Sequence, residues 1–183
     1  DWQIAAPEAG AQTWRLQARR DELDLALDLR PRKPVVLQGD RGLSRKSDQP
    51  GNASYYYSLT RIETAGTLEI NGQQWSVQGL SWMDREWSTS ALGPGQAGWD
   101  WFSLQLDNGY DLMFYQLRRK DGSRDPHSQG VLVDPDGKTT RLDAADVQLE
   151  ATDRWESPAG GEYPSGWRMR VEPIELALDI EPL

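Results

Sequence analysis

The 183-residue sequence contains no cysteine and only one histidine, His127. Without cysteine there is no disulfide framework and no thiol chemistry, and with one histidine a catalytic zinc site lacks its usual ligands. A Ser-His-Asp hydrolase would have to use His127, but the sequence has no G-x-S-x-G turn. A Walker A loop is absent as well. We therefore expect neither a metal nor another cofactor.

Basic residues are also scarce, since 20 Lys and Arg stand against 29 Asp and Glu for a net charge of −9. Nucleic acids and anionic membrane surfaces are bound by basic surfaces, so neither is an expected partner, and the acidity serves solubility. No apolar run approaches the roughly 20 residues of a membrane helix. The chain shows no signal peptide and begins at Asp1, from which we expect that its start has been removed.

Alternation of apolar and polar residues dominates the rest of the chain. The segments ELDLALDL at 22–29 and IELALDI at 174–180 place Leu or Ile at every second position. A helix would scatter these side chains around its circumference, whereas a strand turns them all to one face. Asn71-Gly72 and Asn108-Gly109 separate further strand-like segments and are strong hairpin signals. The sequence therefore predicts an antiparallel, all-β fold.

An internal repeat connects the two ends of the chain. Trp14-Arg15-Leu16 matches Trp167-Arg168-Met169 at an offset of 153 residues, and the same offset relates Trp2 to Trp155. LALDL at 25–29 matches LALDI at 176–180 at an offset of 151. Self-similarity of this kind indicates a repeated structural unit.

The repeat predicts how the chain is divided. Residues 1–38 would be the C-terminal strands of a first β-unit, residues 39–53 a linker loop, and residues 54–183 most of a second unit. The chain would then be an internal fragment of a two-unit protein.

The strand predicted at 82–87 carries an unusual pair of acids. Trp82, Asp84 and Glu86 share one face of this strand. If that face looks inward, the two carboxyls lose their hydration together. Because like charges close together resist joint ionisation, one carboxyl would then keep its proton and serve as a general acid. The alternative is that both carboxylates point to solvent or pair with an arginine such as Arg61.

Alternating aromatic residues lie on both sides of this strand in the sequence. Tyr55 and Tyr57 share one strand face with Tyr56 opposite, and Trp99 and Trp101 share another face. Such residues can form an ordinary core. They can also line a cavity that binds a long apolar ligand and stabilises a carbocation through the ring faces. We expect the strands to wrap around such a pocket.

These segments resemble the lipocalin-like AttH/CrtC family. The resemblance covers most of the chain and is carried by SYYYSLTR, GLSWMDREWST, GWDWFSLQLDNG and DLMFYQLR, which begin at residues 54, 79, 98 and 111. The family includes proteins described as secreted hydrolases, carotenoid 1,2-hydratases and, more distantly, fungal Diels–Alderases. It implies antiparallel lipocalin-like β-barrel units, two in the full protein, and a periplasmic or secreted location.

The resemblance also implies roles for single residues. The hydratases are thought to use an aspartate as acid with an aromatic residue two positions before it, which Asp84 and Trp82 match. They carry a His-x-Trp pair on an earlier strand, and Tyr55 and Tyr57 stand at the matching separation. Tyr55 thus replaces the histidine, which removes a base or proton shuttle and leaves the pocket intact.

The expected function is to bind an isoprenoid or lipid-like molecule and to add water to a C=C bond by acid catalysis. The predicted catalytic residues are Asp84, Glu86, Trp82 and Tyr55, and the predicted ligand-binding residues are Tyr57, Trp99, Trp101, Tyr115 and Arg61. Two alternatives stay open: a non-catalytic hydrophobic-ligand carrier in the cell envelope, and a Diels–Alderase-like scaffold that promotes cyclisation by shape.

Overall fold

A computed structural model of the chain describes residues 1–5, 12–88, 90 and 92–182. These residues form fourteen strands and one short 3-10 turn at Glu172–Ile174. None of them belongs to a helix long and apolar enough to cross a membrane. The strands are β1 Trp2–Ala5, β2 Trp14–Arg20, β3 Leu23–Pro31, β4 Val36–Leu37, β5 Leu43–Arg45, β6 Ala53–Ile70, β7 Gln73–Ser88, β8 Gln96–Gln105, β9 Asp111–Arg119, β10 Gln129–Val133, β11 Thr139–Asp143, β12 Val147–Glu156, β13 Glu162–Val171 and β14 Leu176–Ile180.

The described strands form three antiparallel sheets, which confirms the predicted fold class. The first sheet has the order β1-β2-β3-β6-β4, and β5 and β7 also pair with β6. The second sheet has the order β11-β10-β9-β8, and the third has the order β12-β13-β14.

The longest hairpin of the first sheet joins β6 to β7 through Asn71-Gly72. Both turn residues have positive φ angles, 52° and 76°, as a two-residue type I′ turn requires. The pairing runs from Ile70 opposite Gln73 to Ser54 opposite Ser88. The predicted hairpin is thus confirmed, and it carries both acids singled out in the sequence.

A β-bulge interrupts this hairpin in the middle of β6. Leu59 pairs with Met83 and Ile62 with Ser81, so Thr60 and Arg61 together oppose a single residue of β7. An extra residue reverses which side chains face which side of a strand. Leu59 and Ile62 therefore join the same apolar cluster although they are three positions apart.

A buried carboxylate holds the bulge in place. Asp111, at the start of β9, accepts a hydrogen bond from Thr60 Oγ1 at 2.8 Å and one from Arg61 Nε at 2.9 Å. Lys33 Nζ lies 2.8 Å from the same carboxylate, and its side chain is only 4% exposed. The ion cluster thus ties the first sheet to the second.

The second sheet lies between the other two and contributes side chains to both of its interfaces. One face, with Phe102, Leu112 and Phe114, packs against Met169 and Val171 of the third sheet. The other face, with Met113, Tyr115 and Leu117, packs against Tyr56 of the first sheet. Burial of these apolar side chains is the main force that joins the layers.

The internal repeat has a structural counterpart in two hairpins. In β2–β3, Trp14 pairs with Leu29, and in β13–β14 the corresponding Trp167 pairs with Ile180. The outward ion pairs correspond too: Arg15 with Asp28, and Arg168 with Asp179. The two hairpins therefore share one register.

The other part of the repeat does not share this register. Trp2 pairs with Ala18 next to the first hairpin, whereas Trp155 pairs with Tyr163. The division into a first unit, a linker and a second unit stays a prediction. Within the predicted linker, residues 39–53, Leu43–Arg45 forms β5 and pairs with β6, so this segment is not wholly a loop.

We predict that the ion cluster depends on its single carboxylate. Asp111→Ala leaves Lys33 and Arg61 without their carboxylate, and removal of one partner from a buried pair costs roughly 3–5 kcal/mol. We expect the free energy of unfolding, measured by urea denaturation, to fall by this amount. Asp28→Asn, which removes the exposed pair with Arg15, should cost no more than about 1 kcal/mol. Equal losses in the two variants would contradict this prediction.

Candidate active site

A cavity of about 560 Å³ lies between the first and second sheets. Both acids of the predicted strand border it, and most of the other side chains around it are aromatic or carry a hydroxyl. Trp99 is 51% exposed and Trp101 is 42% exposed, so the cavity is an open cleft rather than a closed chamber. Its lining residues are Lys46, Tyr56, Asp84, Glu86, Trp87, Ser88, Ser90, Trp99, Trp101, Tyr115 and Leu117.

Asp84 is held in this cleft by neutral hydrogen-bond donors. Ser58 Oγ donates to Asp84 Oδ1 at 2.5 Å, and Trp82 Nε1 donates to the same oxygen at 3.0 Å. Ser58 Oγ in turn accepts a hydrogen bond from the buried Gln38 at 2.9 Å. Among the described residues, no cationic side chain forms an ion pair with Asp84. Both donors use Oδ1, and the hydroxyl of Tyr56 also interacts with this carboxylate.

Glu86 is held differently, because a lysine supplies its counter-charge. Lys46 Nζ lies 2.9 Å from Glu86 Oε1, and Ser54 Oγ donates to the same oxygen at 2.5 Å. The Lys46 side chain is 13% exposed. Its ammonium group lies 4.0 Å from the centroid of the Tyr115 ring and 3.2 Å from Ser44 Oγ. Glu86 thus has a cationic partner, whereas Asp84 is bound by neutral donors.

Tyr56 adds a protonated hydroxyl to the cleft. It is 2% exposed, and its hydroxyl accepts a hydrogen bond from Trp101 Nε1 at 3.2 Å. Burial and, next, the negative charge of Asp84 raise the pKa of Tyr56 well above its usual value. Its hydroxyl thus keeps its proton and can donate it to a hydrogen bond.

The structure brings several of the predicted residues together. Asp84, Glu86, Trp99, Trp101 and Tyr115 all border the cleft. Trp82 does not border the cleft itself. It donates a hydrogen bond to Asp84 and packs against the cluster around Tyr56.

Three other predicted site residues do not border this cleft, and a role for them in a site stays a prediction. Tyr55 and Tyr57 lie on the other face of β6, because the bulge reverses the facing of this part of the strand. Their rings lie 5.9 Å and 6.2 Å from the ring of Trp87. Arg61 sits in the bulge itself and binds Asp111, so it is a structural residue.

The residues that sequence reasoning missed are Tyr56, Ser58 and Lys46. Tyr56 and Ser58 stand opposite Glu86 and Asp84, respectively, and directly opposed residues of an antiparallel pair share a face. Lys46 follows β5 within the predicted linker, where three strand residues are too few to give a recognisable pattern.

His127 lies outside the cleft. Its Nδ1 is 2.9 Å from Asp125 Oδ1 and its Nε2 is 3.3 Å from Asp48 Oδ1. Among the described residues, no three His, Cys, Asp or Glu side chains cluster as metal ligands would. Gly93, Gly95 and Gly98 have the G-x-G-x-x-G spacing, but they lead into β8 rather than a helix, so they do not form a dinucleotide fingerprint.

Comparison with solved structures identifies the fold. An AttH protein from Nitrosomonas europaea is 35% identical with a TM-score of 0.82, and the match covers 92% of this chain and 52% of that one. Kievitone hydratase from Nectria haematococca is 16% identical with a TM-score of 0.68, over 93% of this chain and 52% of that one. At this identity the second likeness shows the fold alone.

These likenesses place the chain in the class of lipocalin-like β-proteins. The AttH-like family matches residues 1–183, so the chain belongs to that family. It spans about half the length of the two solved structures. No curated protein matches it significantly.

The hydrogen bonds at Asp125 predict a loss of stability in acid. Burial opposes its charge, but hydrogen bonds from the His127 N–H and ring, Arg119 and Gln96 outweigh it and lower the pKa of Asp125 from 3.8 to about 2. A carboxyl with a depressed folded-state pKa stabilises the fold above its unfolded pKa, and this contribution is lost as the pH falls through the folded value.

We therefore expect the free energy of unfolding to decline as the pH falls from 3.8 to about 2, measured by denaturant titration at each pH. Asp125→Asn should flatten part of this decline. Asp136→Asn, in an exposed turn, should follow the wild-type curve. A decline of the same steepness in Asp125→Asn would show that this carboxyl does not cause it.

Proposed function

We propose that the cleft binds an apolar small molecule of isoprenoid type and adds water to one of its C=C bonds. The observation that carries the proposal is the placement of Asp84. Its carboxyl borders a cleft with aromatic walls, receives hydrogen bonds from two neutral donors and forms no ion pair with the described residues. A general acid for an alkene has to present its proton from a fixed position beside the double bond.

The reaction balances with Asp84 as the only group that exchanges a proton with the substrate. The protonated carboxyl gives its proton to one alkene carbon, and the π electron pair forms the new C–H bond. A carbocation is left on the other carbon, which the ring faces of Tyr56 and Trp101 stabilise. Water adds to this carbon and loses a proton to the Asp84 carboxylate. The product is an alcohol, and the enzyme returns to its starting state.

Tyr56 and Trp101 are well placed for this task because one hydrogen bond, from Trp101 Nε1 to the Tyr56 hydroxyl, fixes the two rings relative to each other. Trp82 orients the acid through its N–H. The fold agrees with the proposal, since one solved protein of this fold is a hydratase by name. A carrier in the cell envelope would use the same cleft without the proton transfer, so the decisive measurement is turnover.

We predict that Asp84→Asn separates binding from catalysis. Asparagine keeps an oxygen for the hydrogen bonds of Ser58 and Trp82 but has no proton acidic enough for an alkene, so turnover should fall about 10²-fold or more. The full-length protein would be incubated with prenyl alcohols such as geraniol and farnesol, and hydrated products measured by mass spectrometry. Binding, measured by tryptophan fluorescence, should persist.

Asp136→Asn serves as the matched control and should hydrate the compounds as the wild type does. Undiminished turnover in Asp84→Asn would remove Asp84 from the mechanism. If the wild-type protein binds the prenyl alcohols and hydrates none of them, the carrier replaces the hydratase as the function of the cleft.

A further inference from the structure

Lys46 and Glu86 form an ion pair at the edge of the cleft, and a contribution to stability does not account for its position there. Lys46 is nearly buried, borders the aromatic cleft, and contacts the ring of Tyr115. The Glu86 side chain is 39% exposed, and an ion pair with a solvent-exposed partner contributes little to stability. Since the pair borders the same cleft as Asp84, its polar atoms are available to a bound molecule.

Glu86 presents one unused oxygen to the cleft. Lys46 and Ser54 both bind Oε1, and among the described residues Oε2 has no hydrogen-bond or ion-pair partner. Glu86 retains 39% exposure of its side chain. A charged carboxylate oxygen of this kind is a strong acceptor for a hydroxyl group.

The charges around the cleft restrict the ligand further. An anionic head group has no proton to donate to Glu86, and the carboxylate of Glu86 and the protein's net charge of −9 would repel it. A cationic head group would be repelled by the ammonium of Lys46, which already lies beside Glu86 and the Tyr115 ring. A neutral hydroxyl group is not repelled by either charge and can donate a hydrogen bond to Glu86.

We infer that the ligand is an uncharged amphiphile whose hydroxyl or phenol group donates a hydrogen bond to Glu86, and that Lys46 is the positioning residue that holds this acceptor. The inference rests on the proposed function, because it assigns the polar end of the molecule whose alkene meets Asp84. Asp84 and Glu86 are two positions apart on one strand face, which separates the two contacts by about 7 Å. The hydroxyl and the reacting double bond of the ligand should be separated by a similar length of chain.

The test compares four probes that share one prenyl chain: farnesol, farnesene, farnesoic acid and farnesylamine. Their binding to the full-length protein would be measured by tryptophan fluorescence and by calorimetry. We expect farnesol to bind about tenfold more tightly than farnesene, as a hydrogen bond to a charged acceptor allows. The acid and the amine should bind more weakly than the alcohol.

The double variant Lys46→Met with Glu86→Leu tests the residues. It removes both charges together, so no unpaired charge is left buried, and circular dichroism would check that it folds. In this variant the preference for farnesol over farnesene should vanish while farnesene binding is retained. Glu86→Gln should weaken the preference in part, and Asp136→Asn should leave it unchanged.

The possible outcomes separate this inference from the proposed function. Equal binding of farnesol and farnesene to the wild type, a preference that survives in the double variant, or tightest binding of the acid or the amine would overturn the inference and leave an apolar-ligand cleft standing. If none of the four probes binds, the proposed function itself is wrong.

Discussion

At Thr60 and Arg61, strand β6 carries one residue more than the strand beside it, and the buried carboxylate of Asp111 binds both side chains. Because of this extra residue, the side chains in the N-terminal part of β6 point to the opposite faces of the sheet from those that an unbroken pairing would give them. Ser58 and Tyr56 consequently stand on the same face as the acids of β7. Without the bulge, the pairing set by the Asn71-Gly72 turn would place Leu59 opposite Asp84, and Asp84 would lose the hydroxyl of Ser58 that supports it.

Strand β7 contributes two acids to the cleft, Asp84 and Glu86, and the two carboxyls differ in the groups that bind them. Asp84 is bound by a hydroxyl and an indole N–H, whereas Glu86 is bound by an ammonium group and a hydroxyl. Each carboxyl uses one oxygen for the protein framework. The arrangement fits a ligand with two chemically different ends, one that accepts a proton and one that donates a hydrogen bond.

The strands and their turns could be predicted from the sequence because their causes are local. Period-two alternation identifies strands such as β3 and β14, and Asn71-Gly72 favours a two-residue turn wherever it separates two strands. The shared face of Trp82, Asp84 and Glu86 follows from the same alternation, which no bulge interrupts within that segment. These features needed no knowledge of distant contacts.

The face of the sheet to which each of Tyr55, Tyr56 and Tyr57 points could not be predicted. It depends on a contact between distant parts of the chain. An unbroken hairpin would pair Tyr57 with Glu86, and the bulge replaces it with Tyr56. The bulge is stabilised by Asp111, which is 50 residues from Arg61 in the sequence. The place of Lys46 could not be predicted either. It follows β5, and a strand of three residues is too short to give a recognisable pattern in the sequence.

In the proposed complex, the cleft holds a neutral prenyl compound whose double bond contacts the Asp84 carboxyl. A crystal structure of the full-length protein with farnesol tests this most directly. We predict that an alkene carbon lies about 3–3.5 Å from an Asp84 carboxyl oxygen, as a reacting geometry requires, with the hydroxyl bonded to Glu86. A cleft that contains only water at saturating farnesol, or a ligand bound away from Asp84, would contradict the claim.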